Sequence, residues 1–82
     1  MTDAADIRSV ASGLAALSIC ESLILALGDL KIMNEGEAVG IISDAADAHR
    51  GAGTSPHEIA LHDEVTAILD RIIAGGNSVR RP

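Results

Sequence analysis

The chain has no phenylalanine, tyrosine or tryptophan among its 82 residues. Aromatic side chains each contribute roughly 150–250 Å² of buried surface, so leucine, isoleucine, valine and alanine must supply the core here. A single domain of this length is close to the size below which one hydrophobic core is marginal. The sequence therefore predicts a homo-oligomer, because self-association buries more apolar surface without lengthening the chain.

Cysteine and basic residues are also scarce. With Cys20 as the one cysteine no internal disulfide can form, and we interpret this thiol as a small core hydrophobe of low reactivity. The net charge is −6, and an acidic surface without aromatic side chains to stack on bases disfavours nucleic-acid binding. The segment of residues 1–6 is acidic and does not resemble the basic start of a signal peptide. Together these features predict a cytoplasmic protein.

The chain does contain one long apolar segment, residues 10–27, in which Glu21 is the single charge. A helix without a polar face must be covered on all sides. A membrane span is disfavoured, because Glu21 would lie near the bilayer centre at a cost of about 2.5–3.5 kcal/mol and no aromatic belt exists. We therefore predict that protein covers this segment, and that a second copy of the chain supplies much of the cover.

The pattern of apolar residues predicts an all-α fold. We expect three helices in an up-down-up arrangement with a long first helix, assembling as a homo-oligomeric helical bundle, because short connections favour antiparallel neighbours. The predicted helices span about 3–27, 35–50 and 56–74, in one domain of residues 1–76 with a flexible C-terminal tail of residues 77–82. Whether Arg80 and Arg81 in this tail dock onto the domain stays open.

Local signals mark the helix ends. Gly28 is placed to end the first helix in a left-handed conformation. Asn34 and Glu37 have the spacing of a capping box at the start of the second helix. Ser55, followed by a proline and then by Glu58 three positions on, is the strongest helix start in the chain. These signals support the three predicted boundaries.

Three residues are candidates for a ligand-binding site, namely Glu21, His49 and His62. Glu21 lies within an apolar helix surface, where we favour a structural polar lock that fixes helix register, with an exposed position or a ligand role as alternatives. The two histidines could join it in a pocket between helices. Zinc sites need three or four convergent ligands, and the spacings here do not provide them, so we predict no metal and no cofactor.

A line of small side chains along the first helix would allow another helix to approach closely. It consists of Ala11, Ala15, Ser18, Ser22 and Ala26. Either the second helix of the same chain, which contains Gly36 and Gly40, or a second copy of the first helix could pack there. The predicted oligomer-interface residues are Leu14, Leu17, Ser18, Ser22 and Leu25.

Several segments carry a resemblance, among them residues 17–27 (LSICESLILAL), 29–31 (DLK), 47–50 (DAHR) and 73–81 (IAGGNSVRR). Through them the chain resembles small, uncharacterised all-helical proteins of proteobacteria that carry an L-S-I-C-E-S-L segment. The resemblance implies a bacterial cytosolic origin and no particular activity.

The functional prediction follows from the apolar first helix and from the lack of a catalytic motif. We predict a small soluble interaction or regulatory protein without catalytic activity. Its predicted partners are further copies of the same chain, in a homodimer or higher oligomer, and an unidentified protein. The alternative is a small ligand- or metal-binding protein that uses Glu21 with His49 and His62 in an inter-helix pocket.

Overall fold

A computed structural model describes residues 4–75 and Val79. It contains three helices, α1 (Ala4–Asp29), α2 (Glu35–His49) and α3 (Pro56–Gly75), and no strand within the described residues. The all-α prediction and the long first helix are confirmed, and each helix end lies within two residues of its expected place. The predicted flexible tail, residues 77–82, falls outside the described part of the chain except for Val79, which is buried.

The helices α2 and α3 pack against each other and form the compact part of the molecule. Ala38, Ile42 and Ala46, spaced four residues apart on one side of α2, are buried. The α3 helix contributes the buried Thr66, whose hydroxyl donates to the His62 carbonyl at 2.9 Å. Its apolar face is only partly covered, with these residues half-buried: Val65, Leu69, Ile72 and Ile73.

In contrast, α1 contributes little to this core. It contacts α2 weakly, it does not contact α3, and none of its residues is buried. A helix of 26 residues is about 39 Å long, close to the longest dimension of the molecule, 42 Å. The radius of gyration is 14.5 Å, whereas a compact domain of this length has about 12 Å. The apolar surface of α1 is therefore left largely uncovered within one chain.

The end of α1 differs from the sequence prediction, which placed a left-handed residue at Gly28. The helix instead continues to Asp29, and Lys31 adopts the left-handed conformation with φ of 61°. The Lys31 N–H donates to the Gly28 carbonyl at 3.0 Å and the Ile32 N–H donates to the Leu27 carbonyl at 3.0 Å, which is the Schellman pattern. The prediction was wrong because a glycine is also tolerated inside a helix, so its presence does not locate the turn.

Both predicted capping boxes are present. At α2 the Asn34 side chain accepts from the Glu37 N–H at 2.8 Å, and the Glu37 carboxylate accepts from the Asn34 N–H at 3.0 Å. At α3 the Ser55 hydroxyl accepts from the Glu58 N–H at 3.2 Å. The Glu58 carboxylate accepts from the Ser55 N–H, and from the hydroxyl and N–H of Thr54. These hydrogen bonds, the Ser55 N–H first, lower the pKa of Glu58 from 4.5 to about 2.

Candidate functional site

One apolar stripe runs along α1, and only part of it is covered. Its members recur at alternating spacings of three and four, so they share one side of the helix. Towards the C-terminal end the stripe is half-buried, whereas its N-terminal members are about three-fifths exposed. We call this set the α1 stripe: Ile7, Val10, Leu14, Leu17, Glu21 and Ile24.

A second apolar surface lies on the opposite side of α1. At 100° per residue, Ile19 and Leu23 point away from the α1 stripe, and they are 69% and 57% exposed. By length and composition α1 could cross a membrane: its most apolar window has a mean hydropathy of 2.0, and no residue of that window is buried. The core helix of a soluble protein can have the same length and composition, so this property alone does not assign a membrane.

The predicted interface residues lie on this uncovered helix. Leu14, Ser18 and Ser22 are exposed, and Leu17 and Leu25 are half-buried. The line of small side chains to which the two serines belong is exposed throughout.

The α2 glycines do not pack against that line. A β-carbon on Gly40 would meet nothing within 4 Å, and one on Gly36 would meet only the neighbouring Asn34 side chain. The intrachain packing that the sequence left open is therefore not made. The small residues of α1 remain available to a second molecule.

Cys20 also lies on α1 and is exposed. The interpretation of this cysteine as a core residue is wrong for the single chain, because no other part of the described chain covers that side of the helix. A thiol in this position is accessible to solvent. Within the described residues, no hydrogen bond joins it to a histidine or to another base that could activate it.

Glu21 does not meet either histidine. It is half-buried, and its side chain forms no hydrogen bond or ion pair with any residue in the described part of the chain. Arg50, the basic residue that follows His49, binds Asp47 and Asp70 and not Glu21. Because α1 does not contact α3, the helix that carries His62, the predicted three-residue pocket is not assembled within one chain.

The two histidines, however, do come together across the α2–α3 contact. The Nδ1 atoms of His49 and His62 are 2.8 Å apart, and the ring centroids are 5.0 Å apart with planes inclined by 30°. The two rings therefore face each other through their Nδ1 atoms. A neutral imidazole has one donor and one acceptor nitrogen, so one Nδ1 carries a hydrogen and the other accepts it.

An ion pair also joins the C-terminal end of α2 to α3. Arg50 follows His49 in the chain, and its guanidinium donates to both Asp70 carboxylate oxygens at 3.1 and 3.3 Å. It also donates to Asp47 at 3.4 Å. The bond to Asp70 is the larger cause of the raised pKa of Arg50. The C-terminal end of α2 is thus tied to α3 by two different side-chain contacts.

A separate open cleft of about 310 Å³ lies where α1 meets the start of α2. Its apolar lining includes Ile24, Leu25, Met33, Ala38 and Val79. None of the three ligand candidates lines it. Sequence reasoning did not predict this cleft, although the spacing of Met33 and Ala38 on either side of the Asn34 cap already places two of its lining residues together.

No group of three or more histidine, cysteine, aspartate or glutamate side chains that could hold a metal ion occurs in residues 4–75 or at Val79. The histidine pair supplies two convergent ring nitrogens, whereas Asp47, two residues before His49, is paired with Arg50. Glu58, four residues before His62, is held by the α3 cap. The described chain thus offers two ligands at one point and no complete coordination shell.

Compared with protein-family models, with curated proteins and with solved structures, the chain has no match. The resemblance to small proteobacterial proteins therefore stays a prediction. The function has to be argued from the exposed helix and from the histidine pair.

Proposed function

We propose that the chain is the protomer of a soluble homodimeric interaction protein without catalytic activity, in which α1 packs against α1 of a second copy. The observation that carries this proposal is a 26-residue apolar helix without one buried residue. Fully burying an aliphatic side chain stabilises by roughly 1.5–3 kcal/mol. The five most exposed aliphatic residues of α1 are all more than half exposed: Ile7, Val10, Leu14, Ile19 and Leu23.

The accessible surface of the chain agrees with the size of a dimer interface. It is 5858 Å², whereas a compact monomer of this mass exposes about 4,600 Å². The difference is about 1,200 Å² per chain, and a stable interface of standard size buries about 800 Å² per partner. Burial of α1 against a second copy would reduce the accessible surface of each chain to about that of a compact protein of the same mass.

The chemistry of the α1 stripe favours protein over lipid as the cover. Glu21 lies near the C-terminal end of this stripe, and its side chain has no hydrogen-bond or ion-pair partner among the described residues. In a bilayer its charge would cost about 2.5–3.5 kcal/mol. At a protein interface the carboxylate can stay at the hydrated rim, as polar rim residues commonly do, beside the hydroxyls of Ser18 and Ser22.

The up-down-up bundle and the cytoplasmic location belong to the same proposal. The connections of five residues (30–34) and six residues (50–55) are as short as those that join antiparallel helices in bundles. A dimer would add a second pair of short helices at the uncovered N-terminal half of α1. The proposed assembly would then be a six-helix bundle with the two long helices at its centre.

Leu14→Asp tests the proposal, with Leu61→Asp as the matched control. Both leucines are helical and similarly exposed, at 60% and 55%, but Leu61 lies on α3. Sedimentation equilibrium should show a dimer for the original chain and for Leu61→Asp. Leu14→Asp should weaken dimerisation by about 100-fold or more, since each dimer loses two contacts of about 1.5 kcal/mol each and gains two buried charges.

Two results would contradict the proposal. A chain that stays monomeric at high micromolar concentration without detergent would show that α1 remains exposed to water without a second copy. A chain recovered only in the membrane fraction, and lost from it when Ile19 and Leu23 are replaced by serine, would show that lipid covers α1. Circular dichroism of each variant checks that the helices remain.

A further inference from the structure

We propose that His49 and His62 together bind a divalent transition-metal ion such as Zn²⁺, with the two Nδ1 atoms as the protein ligands and water in the remaining positions. The site lies between α2 and α3 and is independent of the proposed dimer contact on α1. It rests on the approach of two ring nitrogens to 2.8 Å from positions 13 residues apart on different helices.

The ion would replace the hydrogen that the two rings share. In the neutral pair one Nδ1 donates to the other, so both nitrogens already point towards one place. When the ion binds both Nδ1 lone pairs, the hydrogen moves to Nε2 of the same ring as a change of tautomer. A pair that is neutral beforehand therefore releases no proton, because each imidazole keeps one hydrogen.

The distances require only a small adjustment. Zinc–nitrogen bonds are about 2.0–2.1 Å, so two nitrogens on a tetrahedral zinc ion are about 3.3 Å apart. This is roughly half an ångström more than the present separation, a change that rotations about the side-chain bonds of His49 and His62 can supply. Both side chains are half-buried, so water can complete the coordination from the solvent side.

The charges around the pair are compatible with a cation. Arg50 is the basic side chain next to His49, and its guanidinium is held by two carboxylates, Asp70 and Asp47. This pairing offsets its repulsion of a metal ion. With two protein ligands the site would be exchangeable rather than structural, since closed structural zinc sites use four.

The test is a calorimetric titration with Zn²⁺ alone, in a Cys20→Ser background that removes the exposed thiol. We expect one ion per chain. His49→Ala and His62→Ala should each reduce the affinity at least tenfold. His57→Ala is the matched control, because His57 is an exposed histidine on the same helix as His62, and it should leave the affinity unchanged.

A second measurement covers the case in which a histidine variant does not fold. Nuclear magnetic resonance of ¹⁵N-labelled histidine in the Cys20→Ser chain should show Zn²⁺ changing the Nδ1 resonances of two rings and fixing the hydrogen on their Nε2 atoms. Coordination through Nε2, equal loss of affinity in His57→Ala, or no binding at millimolar Zn²⁺ would each overturn the proposal.

Discussion

For a substitution at the end of α1, the sequence and the structure predict changes in stability of opposite sign. If Gly28 were the left-handed residue, as its position suggests, replacing it by alanine would destabilise the chain by about 1–2 kcal/mol. In the structure Gly28 is an ordinary helical residue, and Lys31 has the left-handed backbone. Gly28→Ala should therefore stabilise the chain, and so should Lys31→Gly.

The magnitudes follow from the local geometry. A β-carbon on Gly28 would lie 3.7 Å from the Met33 carbonyl oxygen, an ordinary contact, so the full helix preference of alanine over glycine, about 0.8–1.0 kcal/mol, applies. Lys31→Gly removes a left-handed cost of about 1–2 kcal/mol. It adds about 0.4–1 kcal/mol of unfolded-state entropy, which leaves a gain of about 0.5–1 kcal/mol.

Thermal unfolding followed by circular dichroism measures both effects. All variants need the same protein concentration, because association also shifts the midpoint. For a chain of this length 1 kcal/mol corresponds to about 4–8 °C. Lys31→Ala is the control: it keeps a β-carbon and should gain little. A lower midpoint for Gly28→Ala, or equal midpoints for the glycine and alanine variants at Lys31, would refute the assignment of the turn.

Three further predictions concern the core and the loops. Ile42→Ala should destabilise by about 2–5 kcal/mol, because Ile42 is 5% exposed, whereas Ile41→Ala at 51% exposure should cost clearly less in the same urea titration. Gly53→Ala should destabilise the chain by about 1–3 kcal/mol, and by more than Gly51→Ala. Both glycines have positive φ, but a β-carbon on Gly53 would come within 2.8 Å of the backbone of Glu58 and Ile59, whereas one on Gly51 would meet nothing within 4 Å. The lowered pKa of Glu58 means that its stabilisation is complete above pH 4.5 and is lost as the pH falls towards about 2; an acid series of unfolding midpoints should show the original chain and Glu58→Gln converging over that interval, and a constant difference down to pH 2 would contradict the assignment.

Much of the secondary structure could be predicted because its causes are local. The capping boxes at Asn34 and Ser55 involve residues three positions apart, and a hydrogen bond over that distance forms wherever the helix starts. The buried side of α2, Ala38 to Ala46, follows from the helical repeat. The left-handed Lys31 could not be read in the same way, since glycine is the usual residue there.

The candidate site was only partly predictable. His49 and His62 were both singled out, but neither spacing nor periodicity along the chain shows that their Nδ1 atoms meet. Glu21 was grouped with them, and the structure separates it from them because α1 does not contact α3. Cys20 was interpreted as a core residue, but its side of α1 is not covered within the described chain.

The sequence alone determined the number of helices, their ends to within two residues, and the excess of apolar surface on the first of them. These properties depend on hydrogen bonds and side-chain repeats within a few residues. Only the tertiary structure decided which apolar surface is covered, which histidine faces which, and which carboxylate neutralises Arg50. Such contacts depend on how helices are placed relative to one another, and that placement is set by packing between residues far apart in the chain.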